Sequence, residues 1–127
     1  MRILVTGSRD WEDWIAIHAE LARYAVQHPD DQDPIVLVHG DCPTGADAIA
    51  DKHGRELGYV IEAHPAQWRS HGKRAGFLRN AEMVKAGADV CLAFIRNNSK
   101  GASMCADLAE KAGIPTHRFR ENDDAQR

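Results

Sequence analysis

Short apolar runs alternate along the chain with longer stretches in which apolar residues recur every three or four positions. The run at 35–38 contains only β-branched and aliphatic residues, which is typical of a parallel strand buried on both faces. The longer stretches have the period of amphipathic helices. The pattern predicts strands at residues 3–5, 35–38, 59–63, 90–95 and 116–119.

Four helices are predicted between these strands, at residues 11–25, 45–57, 77–86 and 102–111. The first carries an apolar stripe that begins at Trp11 and Trp14, and it is expected to end at Pro29 and the acidic turn that follows. Residues 67–76 have no apolar period, so a long loop is predicted there.

Alternating strands and helices imply right-handed crossovers between parallel strands. The predicted fold class is therefore α/β, a Rossmann-like three-layer sandwich with a five-stranded, mainly parallel sheet. Residues 1–120 are expected to form a single domain, and residues 121–127 a polar, frayed tail.

The composition is that of an ordinary globular domain. Of the 127 residues 28% are charged and 43% hydrophobic, and the net charge of −3 lacks the basic excess of a dedicated nucleic-acid-binding protein. No apolar run approaches the roughly 18 residues that span a bilayer. Three cysteines without close pairing favour a reducing compartment. A cytoplasmic protein without a membrane partner is expected.

Three segments that contain glycine and small polar residues each follow a predicted strand and lead towards a predicted helix. They are the first loop (6–11), the second loop (39–45) and the third loop (97–103). Glycine lets the backbone approach a ligand, and the amides of a helix N-terminus attract anions. Because the carboxyl ends of parallel strands share one edge of the sheet, the three loops are expected to meet there. The sequence therefore predicts a site for a phosphate-bearing ligand.

Each of the first two loops also has a purely structural interpretation. Ser8 or Asp10 can cap the following helix instead of helping to bind phosphate. Thr44 can cap the second helix. Asp47 can favour the dipole of that helix, or either Asp47 or Asp41 can accept a ribose hydroxyl. The residues alone leave these alternatives open.

A basic segment lies in and just after the predicted 67–76 loop. It can act as a mobile lid that closes cations over a phosphate, or it can be a solvated surface loop. Trp68 can stack on a base or pin the segment to the core. The basic residues are Arg69, His71, Lys73, Arg74 and Arg79.

No metal or cofactor is predicted. His39 and Cys42 have ligand-like spacing, but no second pair matches it. An inert Cys42 is favoured over a nucleophile.

Four segments together resemble the SLOG superfamily, and most closely its YspA-like, cpYpsA-related branch of bacterial and phage proteins. They are residues 3–9, residues 39–47, the Arg79-Asn80-x-x-Met83 pattern and residues 100–103. The resemblance extends to about Phe119. It implies a Rossmann-like fold that binds nucleotides or nucleotide-derived ligands, and its relatives suggest a homo-oligomer.

Relatives in the superfamily include the cytokinin-activating phosphoribohydrolases, which cleave the N-glycosidic bond of a nucleoside 5′-monophosphate. Arg79 and Met83 resemble their Arg-x-x-x-Met helix. Their Gly-Gly-x-Gly-Thr-x-x-Glu loop is altered here, because Gly101 matches the third glycine but Cys105 stands at the position of the catalytic Glu. The acids that can replace that Glu are Asp47, Asp41 and Asp107, of which Asp107 is expected to be solvated.

The predicted function is binding of a nucleotide or nucleotide-derived small molecule, and the residues leave open whether the protein also hydrolyses the N-glycosidic bond of a nucleoside monophosphate. A non-catalytic nucleotide sensor and an accessory protein for single-stranded nucleic acid are the alternatives. The predicted catalytic residues are Arg79 and Asp47. The predicted ligand-binding residues are Gly7, Ser8, Arg9, His39, Gly40, Asp41, Gly45, Arg74, Asn80, Lys100, Gly101 and Ser103.

Overall fold

Five strands form one parallel sheet in the computed structural model, which describes residues 1–28 and 33–121. The strands lie in the order β3-β2-β1-β4-β5, so the first strand of the chain is the central one. All four strand pairs are parallel. The strands are β1 (Arg2–Gly7), β2 (Val36–His39), β3 (Val60–Ala63), β4 (Val90–Arg96) and β5 (Thr116–Glu121).

Helices cover both faces of the sheet. Side chains on β1 alternate between the faces, so that Ile3 packs with α1 and α2 while Leu4 packs with α4 and α5. The helices are α1 (Trp14–Gln27), α2 (Gly45–Glu56), the short α3 (Trp68–His71), α4 (Ala75–Ala86) and α5 (Lys100–Lys111). This arrangement confirms the predicted α/β sandwich and its five strands.

The prediction of a loop at 67–76 is wrong. This stretch forms α3, a 3-10 turn (Gly72–Arg74) and the start of α4. Residues 68–74 are all exposed. A helical segment that buries no face has no apolar period, which is why the hydrophobic pattern did not reveal it.

The first helix starts later than its apolar stripe indicates. Trp11 is buried but lies before α1, where its Nε1 donates to the Asp13 carbonyl at 2.8 Å. Asp13 then caps the helix by accepting from the Ala16 amide at 3.1 Å. Trp14 is 52% exposed, so the core-facing stripe begins at Ile17.

Three smaller corrections concern element ends. β5 continues through Glu121, so the first tail residue, Glu121, is paired in the sheet. α4 and α5 each begin two residues before their predicted starts. The predicted turn at Pro29 and the rest of the predicted tail lie outside the described residues. Within 1–28 and 33–121, none of the helices has the length and hydrophobicity that a membrane crossing requires.

Candidate functional site

A cleft of about 1110 Å³ opens at the carboxyl ends of β1, β2 and β4. All three loops contribute to it, together with residues of α3 and α4, so the loops converge as the sequence predicts. Eight of the predicted site residues line the cleft: Gly7, Arg9, Gly40, Asp41, Asp47, Arg79, Asn80 and Gly101.

The other predicted site residues lie outside the lining. Arg74 and Lys100 are exposed on the 3-10 turn and at the start of α5. Ser103 is half-buried in the first turn of α5, where its amide donates to the Ser99 carbonyl at 3.1 Å. Ser8, His39 and Gly45 do not line the cleft, but each makes contacts that hold the first or second loop in place.

Ser8 joins the end of β1 to the end of β4. Its amide donates to the Phe94 carbonyl at 2.9 Å, and its hydroxyl accepts from the Arg96 amide at 2.7 Å. The residue is 2% exposed. These bonds occupy both polar groups that the phosphate interpretation would use.

The first and second loops are packed against each other. The Ala46 amide donates to the Ser8 carbonyl at 3.1 Å, and the Thr44 hydroxyl donates to the Arg9 carbonyl at 2.9 Å. Gly45 has a φ of +72°, and a Cβ there would lie 2.5 Å from the Arg9 carbonyl carbon. Thr44 is the N-cap residue of α2, but its side chain makes no capping bond. The start of α2 therefore buttresses the first loop.

His39, the last residue of β2, fixes the path of the second loop. The Asp41 amide donates to its Nδ1 at 2.9 Å, so Nδ1 is the acceptor and Nε2 carries the proton that faces Asp51, 2.8 Å away. Asp41 itself has a φ of +58°, a left-handed conformation that is uncommon for a residue with a side chain. Its carboxylate is thereby held at the rim of the cleft.

Asp47 is a buried carboxylate in the wall of the cleft. Its Oδ2 accepts from the Gly40 amide at 3.2 Å and from the Cys42 amide at 3.4 Å. Its Oδ1 is also buried and has no hydrogen-bond partner among the described residues. Burial raises the pKa of Asp47, against the opposing effects of His39, Arg79 and the two amides. Asp47 therefore has one buried oxygen without a hydrogen-bond donor among the described residues, next to the cleft.

Arg79 crosses the cleft from α4 to the second loop. Its Nε donates to Asn80 Oδ1 at 2.8 Å, and its Nη1 donates to the Gly40 carbonyl. A Cβ on Gly40 would lie 2.7 Å from the guanidinium carbon, so a side chain there would force Arg79 to move from this position. Arg79 also interacts electrostatically with Asp47, which places a cation and an anion together at this end of the cleft.

Two aromatic side chains form the opposite flank. Trp68 on α3 and Phe77 on α4 are each 50% exposed, and both line the cleft. The Arg9 guanidinium lies over the Trp68 ring, 5.7 Å from its centroid. Sequence reasoning missed Phe77 as a site residue, because a single aromatic residue at the start of a predicted helix carries no distinguishing signal.

The third loop is more open than the other two. Asn97 and Asn98 have φ angles of +52° and +56°, and this pair of left-handed residues turns the chain from β4 into α5. Gly101 lines the cleft, and a Cβ there would meet no atom within 4 Å. Sequence reasoning noted the asparagines only as part of a loop, and consecutive asparagines are the signal that could have indicated the turn.

Cys105 occupies a closed position behind the cleft. It is fully buried, and burial raises the pKa of its thiol. The thiol is hydrogen-bonded to Thr6 and interacts electrostatically with Arg79 and Asp47. The position that resembles the family's Glu thus lies near Asp47. Asp107, by contrast, is exposed and paired with Arg118 at 2.7 Å.

Comparison with known proteins gives two matches to the sequence of this chain. The model of the YspA, cpYpsA-related SLOG family matches residues 1–71, which include the first two loops. The chain is also similar to the Gene 61 protein of Mycobacterium phage D29, with 46% identity over 127 residues, covering 93% of this chain and 95% of that protein. No solved structure gives a significant match.

Proposed function

Because the chain belongs to the YspA, cpYpsA-related SLOG family, we propose that its cleft binds a nucleotide or nucleotide-derived ligand. The phosphate lies against Gly101 and the Arg9 guanidinium, and the base stacks on Trp68 or Phe77. A cleft of about 1110 Å³ has room for a ligand of this size. Two half-exposed aromatic rings that line the same cleft as Arg9 and Gly101 support this orientation.

The observation that carries the proposal is the unsatisfied oxygen of Asp47. Leaving a buried hydrogen-bond acceptor without a donor costs about 1–3 kcal/mol, and more when the group is charged. Because Oδ1 is buried, the Asp47 carboxylate must turn towards the cleft before a ribose hydroxyl can donate to it. That hydrogen bond then removes this cost, since the carboxylate's other oxygen already accepts from two amides. A nucleotide carries both groups, a sugar hydroxyl for Asp47 and a phosphate for Arg9 and Gly101.

For the activity, we propose hydrolysis of the N-glycosidic bond of a nucleoside monophosphate. Water adds to C1′ as the bond to the base breaks, and the base leaves with the bonding electrons and a proton. Positive charge develops on the ribose, and the Asp47 carboxylate stabilises it from the cleft wall. Arg79 holds the Gly40 carbonyl, and through it the loop that carries the Asp47 contacts. Asp47 thereby takes the role that Cys105 cannot fill.

A thermal-shift screen tests the binding proposal. The compounds are nucleoside monophosphates, NAD, ADP-ribose and cyclic nucleotides, each against the folded protein. A ligand at about 100 times its Kd should stabilise the protein by roughly 2.7 kcal/mol. If no phosphate-containing compound shifts the melting temperature, the binding proposal fails.

Chromatography of the bound compounds then tests the activity. We expect free base and ribose phosphate from the wild type, and none from Asp47→Asn or Arg79→Ala. Asp107→Asn is the matched control, because it removes an exposed acid of the same type outside the cleft lining. Tight binding without release of base would identify a nucleotide sensor instead.

Sedimentation would measure the oligomeric state, for which we propose a homo-oligomer by analogy with relatives.

Binding of single-stranded nucleic acid is the second candidate function, and one feature favours it. Arg69, Lys73 and Arg74 are all exposed beside the exposed ring of Trp68 at the mouth of the cleft. Basic and aromatic side chains in alternation can follow a strand's phosphates and bases. Binding to a labelled oligonucleotide that falls steeply with salt, with no preference among mononucleotides, would favour this function over the first.

A further inference from the structure

Two histidines from different helices point their ring nitrogens at each other on the face of the protein formed by α1 and α2. His18 Nδ1 lies 2.9 Å from His53 Nδ1. Glu56 Oε2 lies 3.7 Å from the same His53 nitrogen. The three donor atoms are all within 4.8 Å of one another. None of the three residues lines the cleft, so this cluster is separate from the proposed nucleotide site.

The fold holds the three donors together. His53 and Glu56 are one turn apart on α2, which places them on the same side of that helix. α1 packs beside α2 and supplies His18. The Trp14 ring stacks on His53, with centroids 5.5 Å apart and planes 10° from parallel. The His53 ring is therefore fixed on one side by an indole and on the other by His18.

The donor set suits a borderline transition metal. With metal–nitrogen bonds of about 2.0–2.1 Å, two imidazole nitrogens on one ion lie roughly 2.9 Å apart at a right angle and about 3.3 Å apart in a tetrahedron. The observed 2.9 Å falls at the lower of these values. Two imidazoles and a carboxylate are ligands that Zn²⁺, Co²⁺ and Ni²⁺ accept, with water filling the remaining positions.

The electrostatic surroundings also fit a cation. His53 and Glu56 belong to the last turn of α2, where the carbonyl end of the helix carries partial negative charge. The positive charge of Lys52 acts on His53 and opposes the binding of a cation. The Glu56 side chain is 54% exposed, so an ion can reach the three donors from solvent on that side.

We propose that His18 Nδ1, His53 Nδ1 and Glu56 Oε2 form a binding site for a divalent transition-metal ion, with Zn²⁺ as the ion to test. In the absence of metal a single proton between the two ring nitrogens satisfies both rings. The ion takes the place of that proton, which moves to Nε2 of its ring or to water, and joins α1 to α2. The sequence did not reveal this site because His18 and His53 are 35 positions apart and share no motif.

Equilibrium dialysis of the tag-free protein against Zn²⁺ tests the proposal. We expect one ion per chain, and at least a tenfold weaker affinity in both His18→Gln and His53→Gln. Glu56→Gln should weaken binding several-fold. His71→Gln and His117→Gln are the controls, because each removes an exposed histidine elsewhere on the surface and should leave the affinity unchanged.

Co²⁺ gives an independent readout, since its visible spectrum reports nitrogen and oxygen ligands. Loss of that spectrum in His18→Gln, and a changed spectrum in Glu56→Gln, would support the site, and these two variants carry the test if His53→Gln fails to fold. The proposal is overturned if the wild type retains no Zn²⁺, or if His18→Gln binds it as tightly as the wild type does. Equal losses in the His71 or His117 controls would overturn it as well.

Discussion

The first and second loops are packed against each other, whereas the third loop stands open to the cleft. A Cβ on Gly45 would meet the backbone of Ser8 and Arg9, and one on Gly7 would lie 2.7 Å from the Phe94 carbonyl oxygen. A Cβ on Gly101 would meet nothing within 4 Å. The same residue type thus has two roles in loops that share one cleft.

The difference teaches where the ligand has room. At Gly7 and Gly45 glycine is required by other parts of the protein, so these positions would need glycine with or without a ligand. Gly101 also lines the cleft, but the space around a Cβ there is open among the described residues. The first and second loops, packed against each other, form rigid walls of the cleft beside the buried Asp47. The third loop supplies the surface that a phosphate can approach.

Gly45→Ala has the largest expected effect. The φ of +72° disfavours any side chain, and the new methyl group would collide with the first loop, whose backbone cannot rotate away. We expect a loss of about 3 kcal/mol or more in the free energy of unfolding, measured by urea denaturation. Gly58→Ala is the control, since its φ of +83° is similar but the space around it is open, and it should lose only about 1 kcal/mol. Equal losses would show that the two loops are not interlocked.

Asp47→Asn has a smaller effect of opposite sign. Because the pKa of Asp47 is raised in the folded state above its ordinary value of 3.8, the folded protein holds the proton more tightly than the unfolded chain. As pH rises from the ordinary carboxyl pKa towards the raised pKa of folded Asp47, the unfolded chain loses its proton first. The free energy of unfolding of the wild type therefore falls relative to that of Asp47→Asn over this pH range. We expect the variant to be more stable by about 1 kcal/mol at pH 7, with little difference below the ordinary carboxyl pKa.

Urea denaturation of both proteins across this pH range measures the difference. Asp107→Asn should show no such gain. A variant that is less stable than the wild type at neutral pH would mean that both oxygens of the buried Asp47 carboxylate already have hydrogen-bond donors in the protein.

Gly101→Ala has the smallest effect on stability and tests the open loop. Alanine favours the first turn of α5, so stability should rise by about 0.5 kcal/mol or stay unchanged. Because Gly101 lines the cleft, the added methyl group should weaken binding of the best nucleotide found in the thermal-shift screen by about tenfold. Unchanged nucleotide affinity together with lost stability would reverse the roles given to the open and packed loops.

Most of the fold could be predicted from the sequence, because strands buried on both faces leave continuous apolar runs. The run at 35–38 corresponds to β2, shifted by one residue. The failures concern exposed residues. α3 buries no face, and Trp14 is an apolar residue on the surface, so neither follows the rule that links period to burial.

The candidate site was predictable in place but not in detail. Parallel strands bring their carboxyl ends to one edge, and the order of the loops in the sequence was enough to locate the cleft. Which glycine faces the ligand depends on contacts between distant residues, such as that of Arg79 with Gly40, 39 positions apart. The unpartnered oxygen of Asp47 likewise depends on where two loop amides happen to point, and no local pattern encodes it.

The central position of β1 has a consequence for the order of folding. The strand made first pairs on one side with β2 and on the other with β4, where Ile3 meets Val90. Until the ribosome has released β4, one edge of an apolar strand stays unpaired, and Ser8 lacks its partners at the end of β4. Such distant pairing slows folding and leaves an edge that can aggregate. A nascent chain of residues 1–71, which spans the family match, contains β1, β2 and β3 but lacks β4 and β5, the two strands on the other side of β1.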